Sequence, residues 1–213
     1  MGLFLSFLFL MLLTNSCAPV FSEMQSASTV GEGKMDGTVS YSSVRFSSED
    51  GSDHVQNHAD VQFAYGFSEN LDLRGRYSSI WVPDEDIRLN LLGFGPKFNF
   101  IKDRLSAYLP VGFAFGEGIE SSETFQIHPT ILGSFPIIDK LEVNPSFKVL
   151  VPISGEGESL VAVNLGFGID IARGVTIRPE YGLLFNPGED GRFSHFGLGL
   201  TFSPADKTMS EDR

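Results

Sequence analysis

Apolar and polar side chains alternate along most of this chain with a period of two residues. From Val161 to Ile171, apolar residues occupy every second position, and small or polar residues lie between them. Successive side chains point to opposite faces in a β-strand, so the pattern indicates strands with one apolar face. It predicts ten strands, at 38–46, 58–67, 71–81, 87–100, 104–115, 124–136, 140–152, 159–171, 174–185 and 193–203.

The connections between the predicted strands are alternately short and long. Tight turns are expected at 68–70, 101–103, 137–139 and 172–173, and longer loops at 47–57, 82–86, 116–123, 153–158 and 186–192. This arrangement predicts an all-β fold, a single up-and-down antiparallel transmembrane β-barrel of about ten strands, with eight strands as the alternative. An even number of strands places both ends of the barrel at its short-turn end.

The direction of the apolar face distinguishes two kinds of barrel. A soluble barrel that binds an apolar ligand turns this face inward, whereas a transmembrane barrel turns it toward lipid. Here the polar face is mixed with glycine, which suits a narrow interior, and the apolar residues are more bulky than a small interior holds. The transmembrane barrel is therefore favoured, and a soluble periplasmic barrel is the alternative.

Two features interrupt the alternation. Its phase slips near Ser43–Val44 and near Leu91–Leu92, and each slip predicts either a β-bulge or a misplaced strand boundary. Prolines also fall inside predicted strands, although proline removes a hydrogen bond from the sheet. Their similar distance from the tight turns predicts one band of irregular pairing, formed by Pro96, Pro110, Pro129, Pro145 and Pro179.

The first residues predict an export signal. The run Leu3–Leu13 is apolar apart from Ser6, and it is too short to span a membrane as a helix. The tripeptide Val20-Phe21-Ser22 fits cleavage by signal peptidase before Glu23, which gives a signal peptide over residues 1–22. After it, residues 23–37 predict a flexible leader. The barrel then covers 38–203, and 204–213 form a disordered tail.

Cys17 offers a second interpretation of the export signal. The sequence Leu13-Thr14-Asn15-Ser16-Cys17 is a loose match to a lipoprotein signal, in which Cys17 would carry the lipid. Because the chain has one cysteine, an intramolecular disulfide is excluded.

Several short sequences resemble those of a known family. They are Gly95-Pro96-Lys97-Phe98, Tyr108-Leu109-Pro110-Val111-Gly112, Arg178-Pro179-Glu180-Tyr181 and Gly197-Leu198-Gly199-Leu200-Thr201-Phe202. Residues 36–203 are similar in these respects to the small outer-membrane β-barrel proteins of Gram-negative bacteria. The resemblance implies an outer-membrane location and contact with outer-membrane lipids. The closing strand ends in Phe202, similar to the signal that the family's assembly machinery recognises.

The charge of the chain limits its partners. The sequence has 27 acidic and 15 basic residues, a net charge of −12, which argues against nucleic acid because phosphate binding needs a basic face. No loop has the spacing of a calcium site, no cofactor is expected, and the acidic long loops are interpreted as a solvated surface.

Charges of both signs are expected in the barrel lumen. The predicted inward-facing residues are Asp60, Asp72, Arg74, Arg76, Arg88, Lys97, Glu142, Lys148, Asp170, Arg178 and Glu180. Since isolated charges are costly in a narrow interior, we expect them to pair. A salt-bridged lumen that stiffens the wall is favoured, and a polar pore that conducts an unidentified solute is the alternative.

The histidines give little support for catalysis or metal binding. His54 and His58 share a predicted loop, but two ligands without a third make a weak metal site. Ser194 and His195 are adjacent on a strand and therefore face opposite sides. The sequence thus predicts a non-enzymatic barrel, either a structural surface protein or a small pore, with a barrel enzyme acting on lipid or peptide as the alternative.

Overall fold

The computed structural model describes residues 20–49, 51–83, 88–116, 119–154 and 157–203. Within these residues the chain forms thirteen strands and one turn of 3-10 helix, Ser121–Glu123. The strands are β1 (Met35–Ser48), β2 (Gly51–Ser68), β3 (Leu71–Trp81), β4 (Arg88–Ile101), β5 (Leu105–Tyr108), β6 (Val111–Gly116), β7 (Gln126–Ile127), β8 (Thr130–Gly133), β9 (Phe135–Ile138), β10 (Leu141–Pro152), β11 (Leu160–Ala172), β12 (Val175–Phe185) and β13 (Arg192–Phe202).

The strands form one closed antiparallel barrel. β1 pairs with β2 on one side and with β13 on the other, so the first and last strands close the wall. β5 and β6 both pair with β4, and β7, β8 and β9 all pair with β10. Each of these two groups fills one position, which gives ten positions in the wall. The ten-strand barrel is confirmed, and the eight-strand alternative is wrong.

The connection between β1 and β2 is much shorter than predicted. Instead of a loop over 47–57, the two strands stay paired until Ser48 lies opposite Gly51, with a register shift between Val44 and Arg45. This part of the sequence is polar on both faces, so it lacks the alternation that marked the other strands. Backbone pairing needs no apolar face where a hairpin extends beyond the apolar band.

The apolar face points outward. Phe63, Leu165 and Leu198 are 51%, 48% and 53% exposed, and many other large apolar side chains share this outer face. The soluble-barrel alternative requires the opposite orientation and is wrong. A closed sheet without edges whose outer surface is apolar is the architecture of a transmembrane β-barrel. Among the residues that the structure describes, no helix is long and apolar enough to cross a membrane.

Aromatic side chains lie near both ends of the outer surface. Toward the long loops, the Tyr41 and Trp81 rings are 6.1 Å apart and the Phe113 and Phe125 rings 5.2 Å apart. Close to the short turns lie exposed phenylalanines, including Phe67, Phe100, Phe135 and Phe202. Such aromatic girdles mark the two membrane interfaces of this kind of barrel.

The slip of phase at Leu91–Leu92 is not a bulge. Alternation continues without a break along β4, so Leu89 and Leu91 are buried in the lumen while Leu92 is 44% exposed. Near Ser43–Val44 the predicted bulge is present, and Val44 is also buried inside. The inner face therefore includes groups of apolar side chains in the half of the barrel near the long loops, where a wholly polar lumen was expected.

The prolines interrupt neighbouring strands at matching places. Pro110 lies between β5 and β6, and Pro129 precedes β8. Their carbonyl groups still take part in the wall, because Pro110 accepts from His128 and Pro129 accepts from Val149 at 2.9 and 3.0 Å. Pro96, on β4, accepts from Leu109 at 3.0 Å in the same way. The irregular pairing in this part of the wall agrees with the band that the sequence predicted.

Candidate functional site

The chain that precedes β1 turns back into the lumen. Gly31 and Gly33 adopt positive φ angles of 85° and 71°, and the Lys34 N–H donates to the Gly31 carbonyl at 3.1 Å. A Cβ at Gly66 would come within 1.8 Å of the Gly31 oxygen, so this wall position must be glycine. Residues 20–30, called here the lumen segment, lie inside the barrel and have no regular secondary structure. Residues 23–30 were predicted to be a flexible leader.

Near the short turns, wall side chains bind the main chain of the lumen segment. Asp72 accepts from the Val30 N–H, and Ser134 Oγ accepts from the Ala27 N–H at 2.7 Å. In the other direction, Asn99 and Ser106 donate to the Ala27 carbonyl. Lys97 Nζ donates to the carbonyls of residues 26 and 28, at 3.3 and 2.5 Å.

In the middle of the lumen, Glu180 is the principal acceptor. Its two carboxylate oxygens accept from the N–H groups of Glu23 and Met24 at 2.7 and 2.8 Å. Gln62 donates to the Glu23 carbonyl, and Arg76 donates to the Ser22 carbonyl at 2.5 Å. These bonds satisfy backbone groups that would otherwise be buried without partners.

Toward the long loops, the contacts of the lumen segment become apolar. Phe21 is 1% exposed and packs among buried residues of the wall, Val44, Leu150, Ala162 and Leu184. Its ring meets the His195 ring edge-on at a centroid distance of 4.7 Å. Val20 packs against a second apolar group, Ile80, Leu89, Leu91 and Ala114. These two apolar groups of the inner face therefore pack against the first described residues of the chain.

Two side chains of the lumen segment have their own partners in the wall. The Glu23 carboxylate lies 2.5 Å from Lys148 Nζ, and both side chains are at least 97% buried. Met24 lies over the closing strand, where a Cβ at Gly197 would come within 2.1 Å of Met24 Cε. A Cβ at Gly199 would be 3.2 Å from Met24 Sδ, so the alternate glycines of β13 provide the space for this side chain.

The predicted lumen charges are found mostly inside and in pairs. Arg76 forms a salt bridge with Asp60 at 2.9 Å. Asp72 lies 3.5 Å from Lys97 and 3.7 Å from Arg74. At the short-turn end, Arg178 Nη1 lies 3.3 Å from Glu142 Oε1.

Two of the predicted lumen residues lie elsewhere. Arg88 is exposed on the outer face of β4, because the inward positions of this strand begin at Leu89. Asp170 is exposed near the short-turn end of β11 and accepts from Thr176 at 2.6 Å.

Several site residues escaped sequence analysis. Asp36 lies 3.5 Å from Arg74, and Glu23 is the partner of Lys148, yet both belong to the region assigned to the leader. The uncharged donors Gln62, Asn99 and Asn164 were not among the predicted site residues. Alternation could give their face, but nothing in it indicated that a peptide chain was their ligand.

The histidines do not form a catalytic arrangement. His58, His128 and His195 are buried in the lumen, and His54 is exposed on the extended part of β2. His58 and His128 each bond a nearby glutamine at 3.0 Å. Ser194 and His195 face opposite sides of β13. In the described part of the chain, no three histidine, cysteine or acidic side chains lie close enough together to hold a metal ion.

Comparisons with known proteins give similar shapes at low sequence identity. No family model and no curated protein matches the chain. The solved structure of Ail, the attachment invasion locus protein of Yersinia pestis, is 14% identical with a TM-score of 0.40, and the match covers 81% of this chain and 99% of Ail. Neisserial surface protein A is 12% identical with a TM-score of 0.38, covering 81% and 100%.

A third similar structure is the KdgM porin in complex with disordered oligogalacturonate. It is 12% identical with a TM-score of 0.45, and the match covers 78% of this chain and 99% of KdgM. Similarities at this level transfer no function, so the role of the present barrel has to be inferred from its own lumen.

Proposed function

We propose that the protein is an integral outer-membrane β-barrel of a Gram-negative bacterium, without enzymatic activity, whose lumen is closed by its own N-terminal segment. It acts as a structural surface protein in this closed form. The observation that carries the proposal is the binding of the lumen segment along its length. Wall side chains contact the main chain from Val20 to Val30, at both apolar and polar levels of the barrel.

The space left beside the lumen segment supports closure. Between the segment and the wall, near Glu23, Arg76 and His128, there is room for little more than a water molecule. The charges around it are already paired within the protein, so a passing ion would have to compete with those contacts.

A small pore is the second candidate, and one observation favours it. The lumen segment joins the wall through the turn at residues 31–34 and has no regular structure, so it can leave the barrel without unpairing any strand. The polar wall that it would leave behind includes Asp60, Arg76, Lys148 and Glu180.

Planar-bilayer recording of refolded protein tests closure. We expect the chain spanning residues 20–213 to give no steady conductance and the chain spanning 34–213 to give discrete conductance steps. The chain spanning 20–203 is the matched control, because it loses a terminal stretch of similar length while keeping the lumen segment. It should be as silent as the longer chain. Steady conductance of the 20–213 chain, equal to that of the 34–213 chain, would contradict closure.

A further inference from the structure

The wall of the lumen binds the lumen segment mainly through the main-chain groups of that segment. Wall side chains bind N–H or carbonyl groups of residues 20–24, 26–28 and 30. Acceptors such as Glu180 and donors such as Asn164 are arranged along the inner face in the positions that a polypeptide needs. Main-chain contacts of this kind do not depend on which side chains the bound segment carries.

Three side chains of the segment add sequence preference. Phe21 fills an apolar group of wall residues, Glu23 pairs with Lys148 at 2.5 Å, and Met24 occupies the space over Gly197 and Gly199. These contacts require an aromatic residue, an acidic residue two positions later and methionine directly after it. They are buried, so a mismatch would leave a cavity or an unpaired charge.

We propose that the lumen is a peptide-binding channel that accepts a non-helical polypeptide with the sequence aromatic–x–acidic–methionine. The protein's own residues 20–30 are the resident ligand, and a segment of another chain with the same chemistry binds the same wall when the resident segment is absent. This inference rests on the part of the proposed function that places this segment, bound to the wall, inside the lumen. Because the resident segment is tethered, its effective concentration reaches ~1 mM, and it excludes a free peptide until it is removed.

Binding of a synthetic peptide tests the channel directly. The probe is a fluorescent peptide of residues 20–33, added to the refolded 34–213 chain in detergent and followed by fluorescence anisotropy. We expect saturable binding with one peptide per barrel and no binding to the 20–213 chain, whose lumen is occupied. Equal binding to both chains, or equal binding of a scrambled peptide, would overturn the proposal.

A charge exchange locates the peptide in the lumen. A peptide with Glu23→Lys should bind the 34–213 chain on the order of thirtyfold more weakly, since it places two cations together in a buried site. The Lys148→Glu barrel should reverse this preference, whereas Arg88→Glu, at an exposed position of the outer face, should leave it unchanged. If the Lys148→Glu barrel does not fold, the affinity of the Glu23→Lys and Phe21→Ala peptides for the unmodified 34–213 chain tests the proposal. Undiminished binding of both peptides overturns it.

Conductance separates this inference from the proposed function. If the 34–213 chain conducts but binds no peptide, closure stands and the peptide-binding channel is wrong. If the 34–213 chain binds the peptide and conductance is the same with and without residues 20–33, the channel stands and closure is wrong.

Discussion

At the scale of single residues, Gly197 shows how the wall is fitted to what lies inside it. The side chain that glycine lacks would collide with Met24 of the lumen segment and approach Ser42 Oγ to 2.6 Å. Gly93 lies on the same inner face, yet a Cβ there would meet its nearest neighbours at 3.9 Å, an ordinary contact. The contact with Met24 therefore requires glycine at position 197, whereas there is space for a Cβ at position 93, although the sequence pattern around the two residues is similar.

We expect Gly197→Ala to lower the free energy of unfolding by about 1–3 kcal/mol, because the added methyl group overpacks the lumen. Gly93→Ala should change it by less than about 0.5 kcal/mol. Urea denaturation of the refolded 20–213 chain measures both. In the 34–213 chain Met24 is absent, so the loss caused by Gly197→Ala should shrink. An equal loss in the two chains would show that Met24 is not the residue displaced.

Arg88 shows why sequence placed some residues on the wrong face. In the sequence analysis, every large apolar side chain was placed on the outer face, including Leu89 and Leu91. Because neighbouring residues of a strand face opposite sides, this assignment put Arg88 on the inner face and required a slip of phase at Leu91–Leu92. In the structure these leucines are inside because Val20 packs against them. Their apolar partner lies in a distant segment that shows no alternation, and no local pattern could indicate that contact.

At the scale of elements, the lumen segment has two dissimilar ends. Its C-terminal part is held by polar groups, whereas Val20 and Phe21 are held by apolar packing. Burying a phenylalanine side chain contributes about 1.5–3 kcal/mol, and removal of residues 20–22 would leave the two apolar groups of the lumen without the side chains that pack against them. From the contacts of Val20, Phe21 and Ser22 we predict that the exported protein keeps residues 20–22.

Intact-mass measurement of protein purified from membranes tests this. We expect a mass that includes residues 20–22, rather than the chain beginning at Glu23 that the signal-peptide motif predicts. A mass that begins at Glu23 would contradict the expectation.

Apart from the extension of β1 and β2 into the predicted loop, the strands were predictable to within a few residues because each carries its own alternation and turn. The lumen segment was not, because its partners are wall side chains as far as 157 residues away. Its small and polar composition is also that of a flexible linker. Only a short-range signal, the two glycines at residues 31 and 33, marks the turn that directs it inward.

At the scale of the whole molecule, the outer surface decides where the protein resides. Exposed apolar side chains cover the wall between two aromatic girdles, and pairing of β1 with β13 leaves no free sheet edge. The wall therefore satisfies its backbone groups internally, as a bilayer requires. The lumen segment adds contacts inside this wall but takes no part in closing it.

We expect both the 20–213 and the 34–213 chains to show heat-modifiable gel mobility, with the unheated protein migrating as a compact form. Loss of residues 20–33 should lower the temperature at which the compact form disappears without abolishing it. Native protein should leave membranes only with detergent. Release by alkaline carbonate, or a 34–213 chain that never shows the compact form, would contradict a self-sufficient transmembrane wall.

The position of Glu23 and Met24 also sets an order of assembly. Their partner Glu180 follows them by 157 and 156 residues, so these two residues cannot form their bonds to it before β12 has formed. Contacts between such distant positions form slowly because a long loop must close first. Binding of the lumen segment to Glu180 therefore comes no earlier than the formation of β12. In a nascent barrel that still lacks its last two strands, the lumen segment would have no fixed position.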